Sequence, residues 1–305
     1  MRLNVNSFIR GYDFEITGVS YIGDPVSNTV MYIGKKLSAM IDMLETAENC
    51  LVFIEDGMIV SDYLKKRHAV IPVDNPQYEF AKCAKKLEQI QRKEDSRYRL
   101  ILKEGGYYVS ENARIGEHAY IEPGCIIGTR TIIGNDAVLL AGSIIKNSII
   151  GDHFVSKEYA VTGSDSYTMA KDQDGNRVRI PSMGKVVIGN HVEAGSFNNI
   201  ARGSVGNTVI EDYVKLDSFV HIGHDAHIKR NAELAAGTVI GGFVEIGESV
   251  FLGINSSIRN RICVGSGSIV GMGAAVMKSS LARNMVLAGN PAKVIKVTGE
   301  QGNDK

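Results

Sequence analysis

The second half of the chain places an aliphatic residue at every sixth position, without a break from Ile210 to Val276. A small or β-branched residue follows most of these aliphatic residues by four positions, as Val214 follows Ile210. A period of six fits neither an α-helix nor a heptad repeat. It is typical of a parallel β-helix, in which each hexapeptide supplies one short strand and three hexapeptides make one turn. The series is Ile210, Leu216, Ile222, Ile228, Leu234, Ile240, Ile246, Leu252, Ile258, Val264, Val270 and Val276.

The same spacing occurs earlier, in one run from Ile115 to Ile145 and in another from Ile188 to Ile200. We therefore predict a β-helix domain over residues 106–280, with about seven coils at three hexapeptides per turn. A long insertion over 152–186 and a short one within 202–207 interrupt the repeat. Insertions leave a solenoid as loops, which either frame a binding site or lie on the surface without a role.

The first 105 residues have a different pattern. Short apolar runs such as NTVMYIG and NCLVFIED alternate with the helical stretches KLSAMIDMLETAE and NPQYEFAKCAKKLEQIQRKEDSRYR. Strands that alternate with helices predict a small α/β domain over residues 1–105. Residues 281–305 remain as a C-terminal cap or tail. The predicted fold class is mainly β, with a parallel β-helix preceded by this α/β domain.

The amino-acid composition argues against several classes of function. Lys+Arg and Asp+Glu both number 34, so no net charge favours nucleic acid or an anionic membrane. We expect no membrane span, since no apolar run approaches the length of one. The cysteines Cys50, Cys83, Cys125 and Cys263 have no metal-binding spacing, and reduced thiols in a cytoplasmic protein are the simplest interpretation.

Three of the seven histidines lie within VHIGHDAHI. Because Ile222 points inward, His221 and His227 occupy equivalent positions on two different faces. They cannot both bind one zinc ion at about 2.1 Å within a single chain. His224 lies on a rigid outward position and suits a general base, since imidazole titrates near neutral pH. Asp225 follows it, and we expect the two side chains to point to opposite faces, as neighbours on a strand do.

Three segments of the β-helix resemble the UDP-acylglucosamine N-acyltransferase (LpxD) family of lipid A synthesis: RIPSMGKVVIG, VEAGSFNNIARG and LDSFVHIGHD. The resemblance implies a left-handed β-helix and a homotrimer with active sites between neighbouring subunits. It also implies that His224 is the catalytic histidine. From its place beside His224, we expect His221 to be a secondary contact for the substrate. Tyr32 corresponds to one aromatic residue of the family's uracil pocket, although Lys35 and Ser38 replace its other members. A further histidine of the family corresponds to Arg261.

Two further contacts are predicted. Asn198 is a candidate for substrate binding, with a buried asparagine in the solenoid as the alternative. The ending VLAGNPAKVIKV is similar to that of sugar acetyltransferases that use coenzyme A. There, Lys293 and Lys296 are candidates to contact the phosphates of CoA, with two solvated lysines on a capping strand as the alternative.

These features predict an N-acyltransferase for lipopolysaccharide or surface-polysaccharide synthesis. Its substrates would be the amine of a nucleotide-linked amino sugar and an acyl thioester, with acyl-CoA preferred and acyl-carrier protein as the alternative. No permanently bound cofactor or metal is expected. The alternatives are a metal-dependent hexapeptide enzyme of the carbonic anhydrase type and a non-catalytic protein that binds nucleotide sugars.

Overall fold

The structure is a computed structural model that describes residues 1–297. The chain divides into two compact units. The α/β unit contains residues 1–97, 167–184 and 204–206, and the β-helix unit contains residues 98–166, 185–203 and the chain from 207 onward. The β-helix unit begins at residue 98, several residues before the predicted boundary at residue 105. Strand Leu100–Leu102 belongs to it, because this strand pairs antiparallel with Tyr108–Ser110 at the start of the β-helix.

The α/β unit has a four-stranded parallel sheet, as the alternating pattern predicts. Its strands, in order, are Gly18–Val19, Thr29–Ile33, Leu51–Glu55 and Ala69–Val73. Helix Pro76–Asp95 begins at Asn75, whose side chain accepts a hydrogen bond from the Tyr78 amide at 3.1 Å. The remaining elements are the strand pair Leu3–Asn4 and Glu15–Ile16, helix Asp62–Arg67, and the 3₁₀ segments Val5–Ser7 and Lys35–Thr46.

An excursion from the solenoid completes the core of the α/β unit. Residues 167–184 contain an antiparallel hairpin with strands Met169–Lys171 and Arg177–Arg179. Ala170 and Ile180 are buried in one cluster with Val5 and Phe80. The long insertion is therefore shorter than the predicted 152–186 and is part of a hydrophobic core.

The β-helix has three faces, each a sheet in which successive coils pair in parallel. Face 1 contains Tyr108–Ser110, Ile126–Ile127, Ile144–Ile145, Val161–Ser164, Asn199–Ala201, His221–Ile222, Val239–Ile240, Ser257–Ile258 and Ala275–Val276. Face 2 contains Arg114–Ile115, Ile132–Ile133, Ser148–Ile150, Val186–Ile188, Thr208–Ile210, His227–Ile228, Glu245–Ile246 and Cys263–Val264. Face 3 contains Tyr120–Ile121, Val138–Leu139, Val155–Ser156, Glu193–Ala194, Lys215–Leu216, Glu233–Leu234, Phe251–Leu252, Ile269–Val270, Met285–Ala288 and Lys293–Val297.

The aliphatic residues of the repeat fill the interior, and the predicted parallel β-helix is confirmed. Face 2 has 8 strands, one for each coil, so the estimate of about seven coils was low. The coil over 152–166 escaped the pattern because Ser156 and Thr162 occupy inward positions that other coils fill with aliphatic side chains.

The corners between faces place side chains above one another in successive coils. The second residue of a typical turn has a positive φ, such as 61° at Phe219 and 56° at Asp225. Asparagine and glycine adopt this conformation most easily. The larger residues found here lie at equivalent positions of neighbouring coils, and several of their rings stack. We name the corners 1–2, 2–3 and 3–1 after the faces that they join.

The last strands, Met285–Ala288 and Lys293–Val297, form an antiparallel hairpin that ends face 3. This hairpin corresponds to the predicted cap over 281–305, of which residues 298–305 lie outside the described part of the chain. Across residues 1–297, no helix has the length and apolar character needed to span a membrane.

Candidate active site at corner 1–2

The three clustered histidines diverge around one coil. His221 lies outward on face 1, and His227 lies outward on face 2. His224 belongs to the turn between them, at corner 1–2. The prediction that His221 and His227 occupy different faces is confirmed. Among residues 1–297, no three His, Cys, Asp or Glu side chains are grouped to hold a metal ion.

His224 forms a close pair with Asp225. Its Nδ1 lies 2.7 Å from Asp225 Oδ2, and the two side chains are 19% and 4% exposed. The Asp225 amide donates to the buried Thr208 hydroxyl at 2.9 Å, which fixes the turn. The prediction that these side chains point to opposite faces was wrong. Alternation holds along a strand, whereas both residues lie in a turn and Asp225 has a left-handed backbone.

The next coil makes room for the imidazole of His224. A Cβ atom on Gly242 would lie 2.6 Å from His224 Nε2, so only glycine fits below this ring in its present position. Phe243 meets the imidazole edge-to-face, with 5.5 Å between ring centroids. Arg261 lies over the Phe243 ring at 4.3 Å, one coil further along. The residue that replaces the family's further histidine therefore stacks on the aromatic wall beside His224.

His221 belongs to a short polar network on face 1. Asn199 Nδ2 lies 3.2 Å from His221 Nδ1, and the Ser164 hydroxyl donates to Asn199 Oδ1 at 2.6 Å. Burial, and then the charge of His224, lower the pKa of His221 below its ordinary value. The ring is therefore neutral near pH 7, and its Nε2 carries the proton when Nδ1 accepts from Asn199.

Asn199 was missed by the sequence reasoning, which named its neighbour Asn198. Asn198 is only 1% exposed, and its Oδ1 accepts a hydrogen bond from the Val220 amide at 2.7 Å inside the solenoid. This burial contradicts the predicted substrate contact from Asn198. Asn199 precedes His221 by 22 residues, so the register identifies it once the four inserted residues at 202–207 are counted.

The other predicted residues lie apart from this corner. His227 Nε2 pairs with Glu211 Oε1 at 2.7 Å on face 2. Tyr32, in the α/β unit, is half-buried beside Phe80, and its hydroxyl accepts from the Gln77 side chain at 3.4 Å. The two lysines of the C-terminal prediction, Lys293 and Lys296, are exposed on the final strand of face 3, and the structure does not bring them to His224.

A second histidine group lies at corner 2–3. The rings of His153 and His191 stack with centroids 4.5 Å apart, and His191 stacks on Tyr213 at 4.7 Å. Asp136 lies 3.5 Å from His118 Nδ1 and 3.7 Å from His153 Nδ1. These histidines are separated by 35 and 38 residues in sequence, so no local motif marks them.

Comparison with known proteins finds similarity to hexapeptide transferases in parts of the chain. The family described as bacterial transferase hexapeptide (six repeats) matches residues 107–141 and 207–242. The chain is 42% identical over 91 residues to UDP-3-O-acylglucosamine N-acyltransferase 2 of Legionella pneumophila strain Lens, covering 30% of this chain and 26% of that protein. It is 31% identical over 140 residues to the UDP-3-O-acylglucosamine N-acyltransferase of Coxiella burnetii, covering 42% of this chain and 41% of that protein. The chain thus matches less than half the length of these relatives.

Solved structures agree on the fold. UDP-N-acetylglucosamine O-acyltransferase (LpxA) from Moraxella catarrhalis matches with a TM-score of 0.58 and 27% identity over 64% of this chain and 74% of that one. The Francisella novicida UDP-N-acetylglucosamine acyltransferase matches at 0.58 and 24% identity, over 63% of this chain and 69% of that chain, and supports the fold alone. The predicted fold class, including the left-handed sense of the β-helix, is confirmed. The chain is therefore a hexapeptide-repeat protein of the left-handed β-helix fold, related to the UDP-3-O-acylglucosamine N-acyltransferases.

Proposed function

We propose that the protein is an N-acyltransferase that moves an acyl group from a thioester to the amine of a nucleotide-linked amino sugar. The observation that carries this proposal is the His224–Asp225 pair, with Nδ1 and Oδ2 at 2.7 Å on the rigid corner 1–2. The names of the relatives support the amino sugar and the acyl transfer. We also propose that the protein acts in lipid A or surface-polysaccharide synthesis and that it assembles as a homotrimer.

Asp225 selects the tautomer of the base. A carboxylate at Nδ1 favours the tautomer whose proton lies on Nδ1, so Nε2 presents the lone pair. When the amine attacks the thioester carbonyl, a C–N bond forms and His224 Nε2 takes a proton from nitrogen. The C–S bond then breaks, and the departing thiolate receives that proton from the imidazolium. Thiol and amide leave, and no other reactant is needed.

His221 is suited to a different task. Its neutral ring, with Nδ1 accepting from Asn199, offers an Nε2–H donor. We assign this donor to the oxyanion that develops on the thioester carbonyl, where a fixed hydrogen bond stabilises the transition state more than the ground state. The two histidines would therefore divide the proton transfer and the charge stabilisation between them.

The test begins with nucleotide amino sugars that carry a free amine, offered together with acyl-CoAs and acyl-carrier proteins, with thiol release as the readout. His224→Ala should lower kcat by about 10²–10⁴-fold, with little change in sugar KM. His227→Ala is the matched control, because this imidazole pairs with Glu211 on face 2. Full turnover by His224→Ala would contradict the proposal.

We further propose acyl-CoA as the donor, with Lys293 and Lys296 in contact with its phosphates. Both side chains are exposed, so replacing them by alanine should leave the fold intact. The double variant should raise KM for acyl-CoA and leave KM for the sugar unchanged. An unchanged KM for acyl-CoA would remove these lysines from the donor site.

A further inference from the structure

Exposed basic residues lie on corner 1–2, on the carboxyl-terminal side of His224. Arg259 and Arg261 belong to the turn two coils beyond His224, and Lys278 belongs to the turn of the following coil. All three basic side chains are exposed to solvent. Exposed cations are usually solvated surface charges, so their surroundings decide whether they form a site.

The two arginines differ from an arginine of an earlier coil in their partners. At corner 2–3, Arg230 Nη1 lies 3.7 Å from Asp212 Oδ2. In the described part of the chain, no carboxylate pairs with Arg259 or Arg261, and Arg259 Nη1 donates to the Met277 carbonyl at 3.5 Å. A guanidinium has five N–H donors, so most of theirs are available to an acceptor from outside the chain.

The Arg261 guanidinium is held in place. Its carbon lies 4.3 Å from the centroid of the Phe243 ring, and the Arg261 amide donates to the Gly242 carbonyl at 3.0 Å. A guanidinium that rests with its face on an aromatic ring keeps its N–H edges free. Such an edge matches two oxygens of one phosphate group in a bidentate contact.

Phe243 also sets the distance from this guanidinium to the candidate base. Its ring centroid lies 5.5 Å from that of His224 and 4.3 Å from the Arg261 guanidinium carbon, so imidazole and guanidinium are at most 9.8 Å apart. A hydrogen bond of about 3 Å at each end leaves roughly 4 Å between them. One sugar ring bridges that distance when its amine and its phosphate are on neighbouring carbons.

We propose that Arg259, Arg261 and Lys278 form a phosphate clamp that binds the diphosphate of the sugar nucleotide. The identity of this ligand rests on the proposed function, in which the amine of the sugar lies at His224 Nε2. The two guanidiniums contact phosphate oxygens through their paired N–H groups, and Lys278 adds a point charge. Because CoA also carries phosphates, the experiments must separate the two substrates.

Calorimetric titration with UDP and with inorganic pyrophosphate tests the clamp without turnover. Arg261→Gln should raise the Kd of both ligands by about 10–100-fold, because it removes charged hydrogen-bond donors. Arg261→Lys should restore only part of the affinity, since lysine keeps the charge but loses the planar fork. Arg283→Gln is the matched control, because Arg283 is an exposed arginine in the last turn between faces 2 and 3. Its Kd values should equal those of the wild type.

Steady-state kinetics identify the substrate that supplies the phosphate. Arg259→Gln and Arg261→Gln should each raise KM for the sugar nucleotide by about tenfold or more and leave KM for acyl-CoA unchanged. A rise in KM for acyl-CoA alone, absent with an acyl-pantetheine donor that has no phosphate, would overturn the assignment to the sugar nucleotide. Both side chains are exposed, so the variants should unfold at the wild-type temperature.

Unchanged Kd values for UDP and pyrophosphate in Arg259→Gln and Arg261→Gln would overturn the clamp. So would the lack of saturable binding of either ligand to the wild-type protein. These outcomes are separable from the proposed function. A failed clamp with kcat still lost in His224→Ala leaves acyl transfer standing. A raised Kd in Arg261→Gln without acyl transfer to any amino sugar leaves the clamp standing and removes the proposed function.

Discussion

The β-helix contains two groups of three histidines. The members of one group are close in sequence but point away from each other in the fold, whereas the members of the other are far apart in sequence but lie along one edge. His221, His224 and His227 lie within seven positions of the chain, yet the coil distributes them over face 1, corner 1–2 and face 2. The corner 2–3 histidines, His118, His153 and His191, span more than seventy positions, yet they line one edge. In a solenoid, neighbours in sequence separate around the axis, and residues one coil apart meet.

The two groups also differ in their surroundings. His224 has a carboxylate partner of its own, and the side chain of that Asp225 is 4% exposed. At corner 2–3, the side chains of His118 and His153 are 75% and 49% exposed and share Asp136. A buried carboxylate directs one imidazole, whereas an exposed shared one is screened by water. The first group is therefore suited to proton transfer, and the second to stacking.

Asp225→Asn should produce the largest difference in kcat between a change at the His224 group and the same change at the corner 2–3 histidines. An amide at this position can donate to Nδ1, which moves the imidazole proton to Nε2 and removes the base. We expect kcat to fall by about 10²–10⁴-fold in the acyl-transfer assay. Asp136→Asn makes the same change at corner 2–3 and should leave kcat near the wild-type value. An equal loss of kcat in Asp225→Asn and Asp136→Asn would show that the two histidine groups do not differ in this way.

Gly242→Ala should have the next largest effect. The new Cβ would displace the imidazole, since it would lie 2.6 Å from Nε2. A shift of about 1 Å in a catalytic group costs on the order of 10²-fold in rate. Gly271→Ala is the control, because its Cβ would meet only ordinary contacts, the nearest at 3.4 Å. Normal kcat in Gly242→Ala would show that the ring position does not matter.

At corner 2–3, a substitution should lower the free energy of unfolding and leave kcat unchanged. His191→Ala removes two ring stacks, with His153 and Tyr213. Each aromatic pair contributes about 0.5–1.5 kcal/mol, so the free energy of unfolding should fall by roughly 1–3 kcal/mol while kcat is retained. His118→Ala is the control, since this exposed side chain pairs with Asp136 and takes no part in the stack of His153, His191 and Tyr213. Denaturant unfolding measures both variants.

The smallest effect concerns pH. Burial and the charge of His224 lower the pKa of His221, so the unfolded chain binds a proton at this residue before the folded one does. The free energy of unfolding should therefore decrease as pH falls from about 6.5, the ordinary histidine value, to the lowered folded value. Buried His68 has a pKa lowered in the same direction, mainly by burial. His221→Gln should flatten part of this decrease in denaturant titrations between pH 7.5 and 5.5, and an unchanged slope would contradict the assignment.

Much of the fold was predictable because the hexapeptide interior requires an aliphatic residue in each strand. The prediction failed where that requirement relaxes, at Ser156 and Thr162, whose coil was taken for a loop. It also failed for residues 167–184. Their place in the α/β core depends on contacts with Val5 and Phe80, which lie far away in sequence and leave no periodic signal.

The candidate site was predictable only as far as strand register applies. Register placed His221 and His224 outward, but it does not describe turns, and so the Asp225 pairing was missed. Register supported the alternative in which Asn198 is buried, and the structure has it 1% exposed. The outward neighbour Asn199 was missed, because a one-residue difference exchanges the interior for the surface. The stack of His153, His191 and Tyr213 at corner 2–3 was not predicted, since insertions change the sequence spacing of these rings from coil to coil.

The excursion at 167–184 has a consequence for synthesis. The α/β unit begins at the first residue, but its core needs Ala170 and Ile180, which follow the first coils of the β-helix. During synthesis, residues 1–97 would therefore emerge from the ribosome before the residues that complete their core. The first coils of the β-helix would be available to fold before the α/β unit could. We expect a fragment that stops at residue 105 to expose apolar surface and to aggregate, although it contains every strand of the parallel sheet.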